Sequence, residues 1–388
     1  MNPPENKIRV LIISLYTQFG GGEYGFYYLM KYLDRKKFEP YLVTNQKGPL
    51  VEKAESLGIE CFIIPFKVVM LQHLIRPSVF LQNFKSAFAL RKLIVEKNIN
   101  LVQCQDILSL ILLLPTSLTR RIRIVYNVIF FHEDLRVFLL DCLSFVRVKF
   151  IPVLSKMIHD DIVKKSLFLK KKLRLIYWGV DFNRFYPRSE NEKRNIKSRL
   201  GLPHDKRIVG FIGRYDVWKG HLTFINASRE VLKKRGDVML LIVGGSMTAD
   251  VVPAVARYRS EVENVMQKFI QDGDLIVWDH RDDVPEIMSV LDVFVCPSDR
   301  EPFGLVVLEA LACGIPSVVS DGVGALEVVG GLRGVFKAKA GDADSFARAI
   351  EMALEYKPAQ MDTRLLIERF SWEIYAKQYE NLYFESFK

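Results

Sequence analysis

Cysteine is scarce and unpaired in this sequence. Five stand among 388 residues, Cys61, Cys104, Cys142, Cys296 and Cys313, scattered and odd in number, with no C-x-x-C. That spacing excludes a disulfide framework or a zinc site, and buried thiols in a reducing compartment are expected instead. Long apolar runs are also missing. The longest, ILSLILLLPTSL over 107–118, is shorter than the ~20 residues that cross a bilayer, and it contains a proline. A buried helix is expected there. The opening MNPPENKIRVLIISL has neither a basic leader nor a small-residue cleavage site, so no secretory signal is expected.

The chain has material for two or three domains. Apolar residues make up 49% and charged residues 26%, the balance of an ordinary globular protein. The net charge of +10 is uneven: between Lys156 and Arg199, 13 Lys or Arg stand against 5 Asp or Glu. Such a zone suits phosphorylated substrates, anionic lipid or nucleic acid, or is a solvated surface.

Short apolar runs alternate with helical stretches. Strands are predicted at 8–15, 40–44, 60–64, 100–104, 123–127 and 150–155, then at 207–213, 237–244, 274–278, 292–298, 316–320 and 333–336. Leu173, Leu175 and Ile176 also read as part of a core strand. Continuous apolar strands between helices indicate parallel sheets covered on both faces. Two doubly wound α/β domains of about six strands each follow, with the seam at GVDFNRFYPRSENEKRN over 179–195. The last segment places Trp372, Tyr375, Tyr379, Leu382 and Tyr383 on one helical face. Its ENLYFES differs at one residue from a common protease tag, but the unbroken aromatic spacing argues for a native amphipathic helix.

Three stretches have the makings of a site. Gly20, Gly21 and Gly22 sit where the first strand gives way to helix, and glycines let a backbone approach a ligand and aim N–H groups at it. This turn is read as distinct from the dinucleotide fingerprint, which makes an NAD oxidoreductase the least favoured reading. In GFIGRYDVWKG, Arg214 directly follows a strand and Lys219 lies five residues on. Ligands of open α/β sheets bind beyond the carboxyl ends of the strands, where these cations could neutralise a diphosphate. In EPFGLVVLEALACG, Glu301 is expected in a loop at a strand end and Glu309 in the second turn of the following helix. Carboxylates are natural acceptors for vicinal hydroxyls.

On these stretches, with IYWGVDFNRFYP at the seam, DHRDDVPEIMSVLDVFVCPSDREPFGLVVLEALACGIPSVVSDGVGALEVV and the tail FSWEIYAKQYENLY, the chain resembles the retaining glycosyltransferases of family 4, which have the glycosyltransferase-B fold of two Rossmann-like domains facing a crevice. The resemblance implies an acceptor-binding domain over 1–182, a nucleotide-sugar-binding domain over 183–365, and a C-terminal helix over 366–388 packing back toward the first. It implies that Gly20, Gly21 and Gly22 contact substrate through backbone amides. Arg214 and Lys219 would bind the donor diphosphate, Glu301 the transferred sugar and Glu309 the nucleotide ribose. The amides of Gly304, Leu305 and Val306, after Phe303, would reach the phosphates. His132 would lie beside the reacting sugar, ahead of His159 and His280. Asp279 and His280 replace the family's usual glycine turn beside Arg281, so the base is left open. No D-x-D triplet stands in the family's metal position, and neither a metal nor another cofactor is expected. The partners implied are a nucleotide diphosphate sugar and a glycan or lipid-linked acceptor, with no nucleic acid. A cytoplasmic enzyme is expected, peripheral on the inner membrane face through the basic, aromatic stretches 164–178 and 73–93. The rival readings are a sugar-nucleotide epimerase of the same fold and an inactive sugar-nucleotide-binding homologue.

Overall fold

In the computed structural model, which describes residues 7–67, 77–145, 147–166, 168–245, 253–357 and 364–388, the apolar runs form two parallel sheets. The first comprises β1 (Ile8–Ser14), β2 (Phe38–Thr44), β3 (Glu60–Ile63), β4 (Leu101–Cys104), β5 (Arg123–Tyr126), β6 (Val148–Val153) and β7 (Leu173–Leu175), in the order β3-β2-β1-β4-β5-β6-β7. The second comprises β8 (Arg207–Ile212), β9 (Val238–Val243), β10 (Leu275–Trp278), β11 (Val293–Cys296), β12 (Ser317–Ser320) and β13 (Val335–Ala338), in the order β10-β9-β8-β11-β12-β13. The expected six and six are thus seven and six among the described residues. The short β7 binds β6 through Ile151, Pro152 and Val153, and β13 lies two residues later than the sequence suggested.

The chain divides into two compact units, Met1–Trp178 with Trp372–Lys388, and Gly179–Ser371. Central strands are apolar on both faces because helices cover both: all six residues of β9 are buried. The second unit's core gathers Val209, Phe211, Phe224, Ile242 and Phe346. The helix Ile107–Thr119 forms as expected, begun by Asp106, whose carboxylate accepts from the Ser109 N–H at 2.7 Å, and it contains Pro115.

The last helix, Trp372–Glu385, belongs to the first unit. Trp372, Tyr375, Tyr379, Leu382 and Tyr383 are all buried. Trp372 stacks on Tyr28 with ring centroids 4.5 Å apart. The Tyr379 hydroxyl donates to Asn127 Oδ1 at 3.2 Å, the Tyr383 hydroxyl to Gln103 Oε1, and the Asp34 N–H to Glu380 Oε1 at 2.9 Å. Each buried aromatic contributes about 1.5–3 kcal/mol, so the helix is an integral layer of that unit.

Two expectations are corrected. Only Cys104, Cys296 and Cys313 are buried; Cys61, on the edge strand β3, is partly buried, and Cys142, on the helix Asp134–Ser144, is exposed. In the stretch 164–178, Leu169, Leu173, Ile176 and Trp178 are buried, while Phe168 and Leu175 are exposed. Leu175, expected in a core strand, is instead exposed at the end of the edge strand β7. Residues 73–76 of the other stretch, and residues 1–6 of the segment read for a secretion signal, lie outside the described residues. Among the described residues no helix is long and apolar enough to cross a membrane.

Candidate functional site

In each sheet the strand order reverses once, between β1 and β4 in the first unit and between β8 and β11 in the second. At such a point the loops leaving two adjacent strands diverge, opening a crevice at their carboxyl ends. In the second unit, Gly213 to Gly220 follow β8 and Pro297 to Gly304 follow β11. The sequence thus delivers Arg214, Lys219 and Glu301 to one place.

Lys219 and Glu301 meet there. Lys219 Nζ lies 2.5 Å from Glu301 Oε2, with side chains only 19% and 15% exposed. Ser298 Oγ donates to the same carboxylate oxygen at 3.4 Å. The loop is pinned on both sides: the Asp299 N–H donates to the Trp218 carbonyl at 2.8 Å, the Glu301 N–H to the Gly322 carbonyl at 2.8 Å, and the Ala325 N–H to the Phe303 carbonyl at 2.6 Å. Gly220 has φ +77, and a Cβ there would stand 2.1 Å from the Pro297 carbonyl oxygen. Only glycine lets the two loops approach this closely. Arg214 is exposed; its charge opposes the rise in the Asp216 pKa that burial causes.

Gly304, at φ 89, caps the helix Leu305–Ala312. The amides of Leu305 and Val306 therefore lie in its first turn, where N–H groups lack intrahelical partners and the dipole favours anions. Phe303 is buried beneath them. Glu309 stands one turn further along. It keeps partial surface exposure while its carboxyl group is enclosed, and that burial raises its pKa to about 7, with Arg184 pulling the other way. Arg281 is placed differently: it follows the edge strand β10, is held bidentately by Asp283 at 2.8 and 2.5 Å, and lies over Trp278.

In the first unit, Gly20 caps the helix Gly21–Tyr32, and its N–H is taken by Glu23 Oε2 at 3.2 Å, so this amide is engaged within the protein. A Cβ on Gly21 would meet Trp178 at 2.5 Å, and one on Gly22 would meet Ile129 at 2.5 Å and Gln105 at 2.8 Å. The spacing of Gly20, Gly22 and Gly25 does satisfy G-x-G-x-x-G, a correction to the reading of the turn as distinct from it. The side chains of Trp178, Gln105 and Ile129 fill the space beside these glycines, which therefore serve close packing of the helix.

Glu23 is buried, and its pKa is raised by desolvation. It accepts from Gln105 Nε2 at 3.3 Å, while Gln105 Oε1 is buried without a partner among the described residues. His132, in the loop after β5, is 6% exposed. Its Nε2 lies 3.4 Å from the Tyr126 hydroxyl, and its Nδ1 is buried without a hydrogen-bond partner among the described residues. Burial lowers its pKa to about 4, so the ring is neutral at physiological pH. The Lys165 ammonium fixes the loop by donating to the His132 carbonyl at 2.8 Å. His159 instead pairs with Asp160, and His280 is exposed.

Sequence reasoning passed over Glu23, Gln105, Ser298, Arg184 and His221. Glu23 closes the GGGE motif, and a capping signal three residues after Gly20 was available. His221 directly follows the Lys219-Gly220 turn; it is fully buried, stacks on Tyr215 at 4.6 Å, and its pKa is lowered to about 3 by burial.

The comparisons agree with this division. A family model described as Glycosyltransferase Family 4 matches residues 19–184, and one described as Glycosyl transferases group 1 matches residues 192–365. Spore coat protein SA of Bacillus subtilis is 29% identical over 191 residues, 46% of this chain and 48% of that protein. The lipopolysaccharide core biosynthesis mannosyltransferase LpsB of Rhizobium meliloti is 38% identical over 171 residues, 43% of this chain and 46% of that protein. The chain spans about half the length of the curated relatives it matches. Among solved structures, Anabaena HepE in complex with UDP and glucose aligns over 97% of this chain and 99% of its own, with a TM-score of 0.79 at 18% identity. WaaG, a glycosyltransferase involved in lipopolysaccharide biosynthesis, aligns over 96% and 95%, with a TM-score of 0.65 at 16% identity. Two doubly wound sheets, the two family models side by side and these whole-chain likenesses place the chain in the family 4 type of glycosyltransferases, with the glycosyltransferase-B fold.

Proposed function

We propose that the protein transfers a sugar from a nucleotide diphosphate sugar to an acceptor hydroxyl with retention of anomeric configuration. The observation that carries this reading is the partly buried Lys219–Glu301 pair at the β8/β11 switch point, with Arg214 in the same loop as Lys219 and the helix Leu305–Ala312 following the loop of Glu301. A cation and a carboxylate held together at one site suit a ligand with a phosphate end and a hydroxyl-rich end. The phosphate takes Lys219, and the sugar hydroxyls take Glu301.

In this mechanism the bond between the anomeric carbon and the phosphate oxygen breaks, and the acceptor oxygen bonds to that carbon on the same face. The acceptor proton passes to the leaving phosphate. Charge grows on the diphosphate, where Arg214, Lys219 and the Leu305 and Val306 amides stabilise it without rearranging. Two cations and backbone amides suffice for that charge, so no resident metal is invoked. Glu309 accepts from the ribose. His132, neutral through burial, offers Nδ1 to a sugar hydroxyl. No pair of carboxylates is assigned as acid and nucleophile, in contrast to retaining glycosidases.

UDP and UDP-glucose, named for the HepE structures, make uridine donors the first to test, and the LpsB name supports a glycan product. The acceptor is read as a glycan or lipid-linked glycan, met at the inner face of the membrane. The test is a panel of nucleotide sugars scored for nucleotide release with and without acceptors. Acceptor-dependent release is expected. Conversion of the donor to an epimer without acceptor would overturn the reading in favour of an epimerase, and tight binding without turnover in favour of an inactive homologue.

A further inference from the structure

Across its middle the first sheet runs β2-β1-β4-β5. At the carboxyl end of each of these four neighbouring strands stands one buried side-chain atom without a hydrogen-bond partner among the described residues. Asn45 Oδ1 directly follows β2, Thr17 Oγ1 lies in the loop after β1, Gln105 Oε1 directly follows β4, and His132 Nδ1 lies in the loop after β5. Native proteins rarely leave such atoms unpaired, because burial removes the water that would otherwise satisfy them. Elsewhere among the described residues of the first unit only Gln103, within β4, and Thr116, within the helix Ile107–Thr119, do so.

The loops that carry the four atoms are stitched into one rim. The Leu50 N–H donates to the Thr17 carbonyl at 3.0 Å, and a Cβ on Gly48 would stand 2.5 Å from the Thr17 hydroxyl, so the loops after β1 and β2 pack closely. Gln105 Nε2 donates to Glu23 Oε1 at 3.3 Å, which ties the end of β4 to the turn after β1. The Asn127 N–H donates to the Cys104 carbonyl at 2.8 Å, which joins the ends of β4 and β5. Neighbouring strands lie ~4.8 Å apart, so the four strand ends extend over roughly 14 Å, longer than a single sugar ring.

The chemistry of the row narrows its occupant. All four groups are neutral, and the Glu23 carboxyl bonded to Gln105 offers nothing to an anion. An apolar ligand would leave the row unpaired. A chain of sugars carries hydroxyls on every ring, each able to donate and to accept. Tyr16 and Phe130, in the loops after β1 and β5, are 60 and 56% exposed and offer aromatic faces to the C–H side of a sugar ring.

We infer that the strand ends of the first unit form an extended subsite for a neutral oligosaccharide, with Thr17 and Asn45 holding the rings beyond the one that reacts near His132. The inference rests on the reading of a sugar transferase with a glycan acceptor and deepens it: the acceptor is a chain of more than one ring, and Thr17 and Asn45 recognise its length.

The test is titration calorimetry of the full chain, without donor, against glucose, maltose and maltotriose and against mannose and its α-linked di- and trisaccharides. Affinity should rise with each added ring. Combining Asn45→Ala with Thr17→Val should lower the ratio of trisaccharide to monosaccharide affinity on the order of 10-fold, the worth of the lost neutral hydrogen bonds. Thr17→Ser keeps the hydroxyl and should keep the ratio, which separates loss of a contact from loss of the fold. Equal wild-type affinity for one ring and for three overturns the inference, as does a double variant with the wild-type ratio. A wild type that binds none of these sugars overturns it too, because the row then holds only water. The transfer reading is scored separately. Length-dependent binding without donor turnover leaves the subsite standing and removes transfer, while acceptor-dependent turnover indifferent to chain length does the reverse.

Discussion

The first unit carries 29 Lys or Arg against 17 Asp or Glu, while the second carries 26 against 28. Seven phenylalanines are exposed on the first and none on the second among the described residues. Their strand ends differ as well. Those of the first unit present buried polar atoms without partners among the described residues, on Thr17, Gln105 and His132, and in the second only His221, after the Lys219–Gly220 turn, does likewise beside the strand ends. Those of the second hold a carboxylate and an ammonium against each other. The same parallel-sheet architecture thus supports two chemistries. Neutral, unpaired hydrogen-bonding groups suit a ligand of hydroxyls, while opposed charges suit one that is anionic at one end. That contrast is what the proposed division into acceptor and donor units requires, and it can be broken or sharpened by experiment.

The largest effect expected is on the first unit alone. Trp372→Ala removes a side chain 2% exposed and stacked on Tyr28, and should cost about 3–5 kcal/mol. Calorimetry should show one transition lowered and the second unit's preserved; equal loss in both would mean the last helix does not belong to the first unit alone. Next is the charged site. Lys219→Ala should lower kcat/KM by about 2–4 kcal/mol with unchanged circular dichroism, as should Arg214→Ala. Wild-type turnover in either would remove that residue from the phosphate site.

Acid should then act through His132. Its folded pKa of about 4 lies below the ordinary 6.5, so the unfolded state binds the extra proton first. The contribution is intact above pH 6.5 and is lost as pH falls toward 4, on the order of 3 kcal/mol in all. Urea titrations across that window should be flatter for His132→Asn; identical slopes would mean the ring is not buried neutral.

The two glutamates should separate by about 1–3 kcal/mol, the worth of hydrogen bonds to a charged group. Glu309→Ala should weaken binding of the bare nucleoside diphosphate, and Glu301→Ala should leave it nearly intact while depressing transfer. Because burial holds Glu309 at about 7, wild-type nucleotide affinity should also decline below that pH as the carboxylate protonates. Titration calorimetry that finds equal losses for both variants refutes the split. The smallest effect expected is from chelation: EDTA should leave turnover unchanged, and loss restored by magnesium or manganese would place a metal in the reaction.

Much of this architecture could be read from the sequence because its signals are local. Apolar runs such as DVMLLIVG become strands within a residue or two, since a parallel strand covered on both faces must be apolar throughout. The aromatic spacing from Trp372 to Tyr383 marks its buried face without reference to any partner. The loop-then-helix form of EPFGLVVLEALACG likewise follows from Gly304 and the residues around it. The positions of Arg214, Lys219 and Glu301 at strand ends were legible for the same reason.

What tertiary structure alone decided is who meets whom. Lys219 and Glu301 are 82 residues apart, as are Glu23 and Gln105, and each pair exists because strand order puts two distant loops side by side. No periodicity encodes that the last helix returns to the first unit. Nor does composition distinguish 164–178, where Leu169, Leu173, Ile176 and Trp178 are buried, from 77–96, where Phe80, Phe84 and Phe88 face solvent. Both stretches mix cations with large apolar side chains. The backbone of the first is committed to a sheet edge, while that of the second is a helix with only one face left to bury, and that geometry fixes which apolar groups the protein keeps for itself.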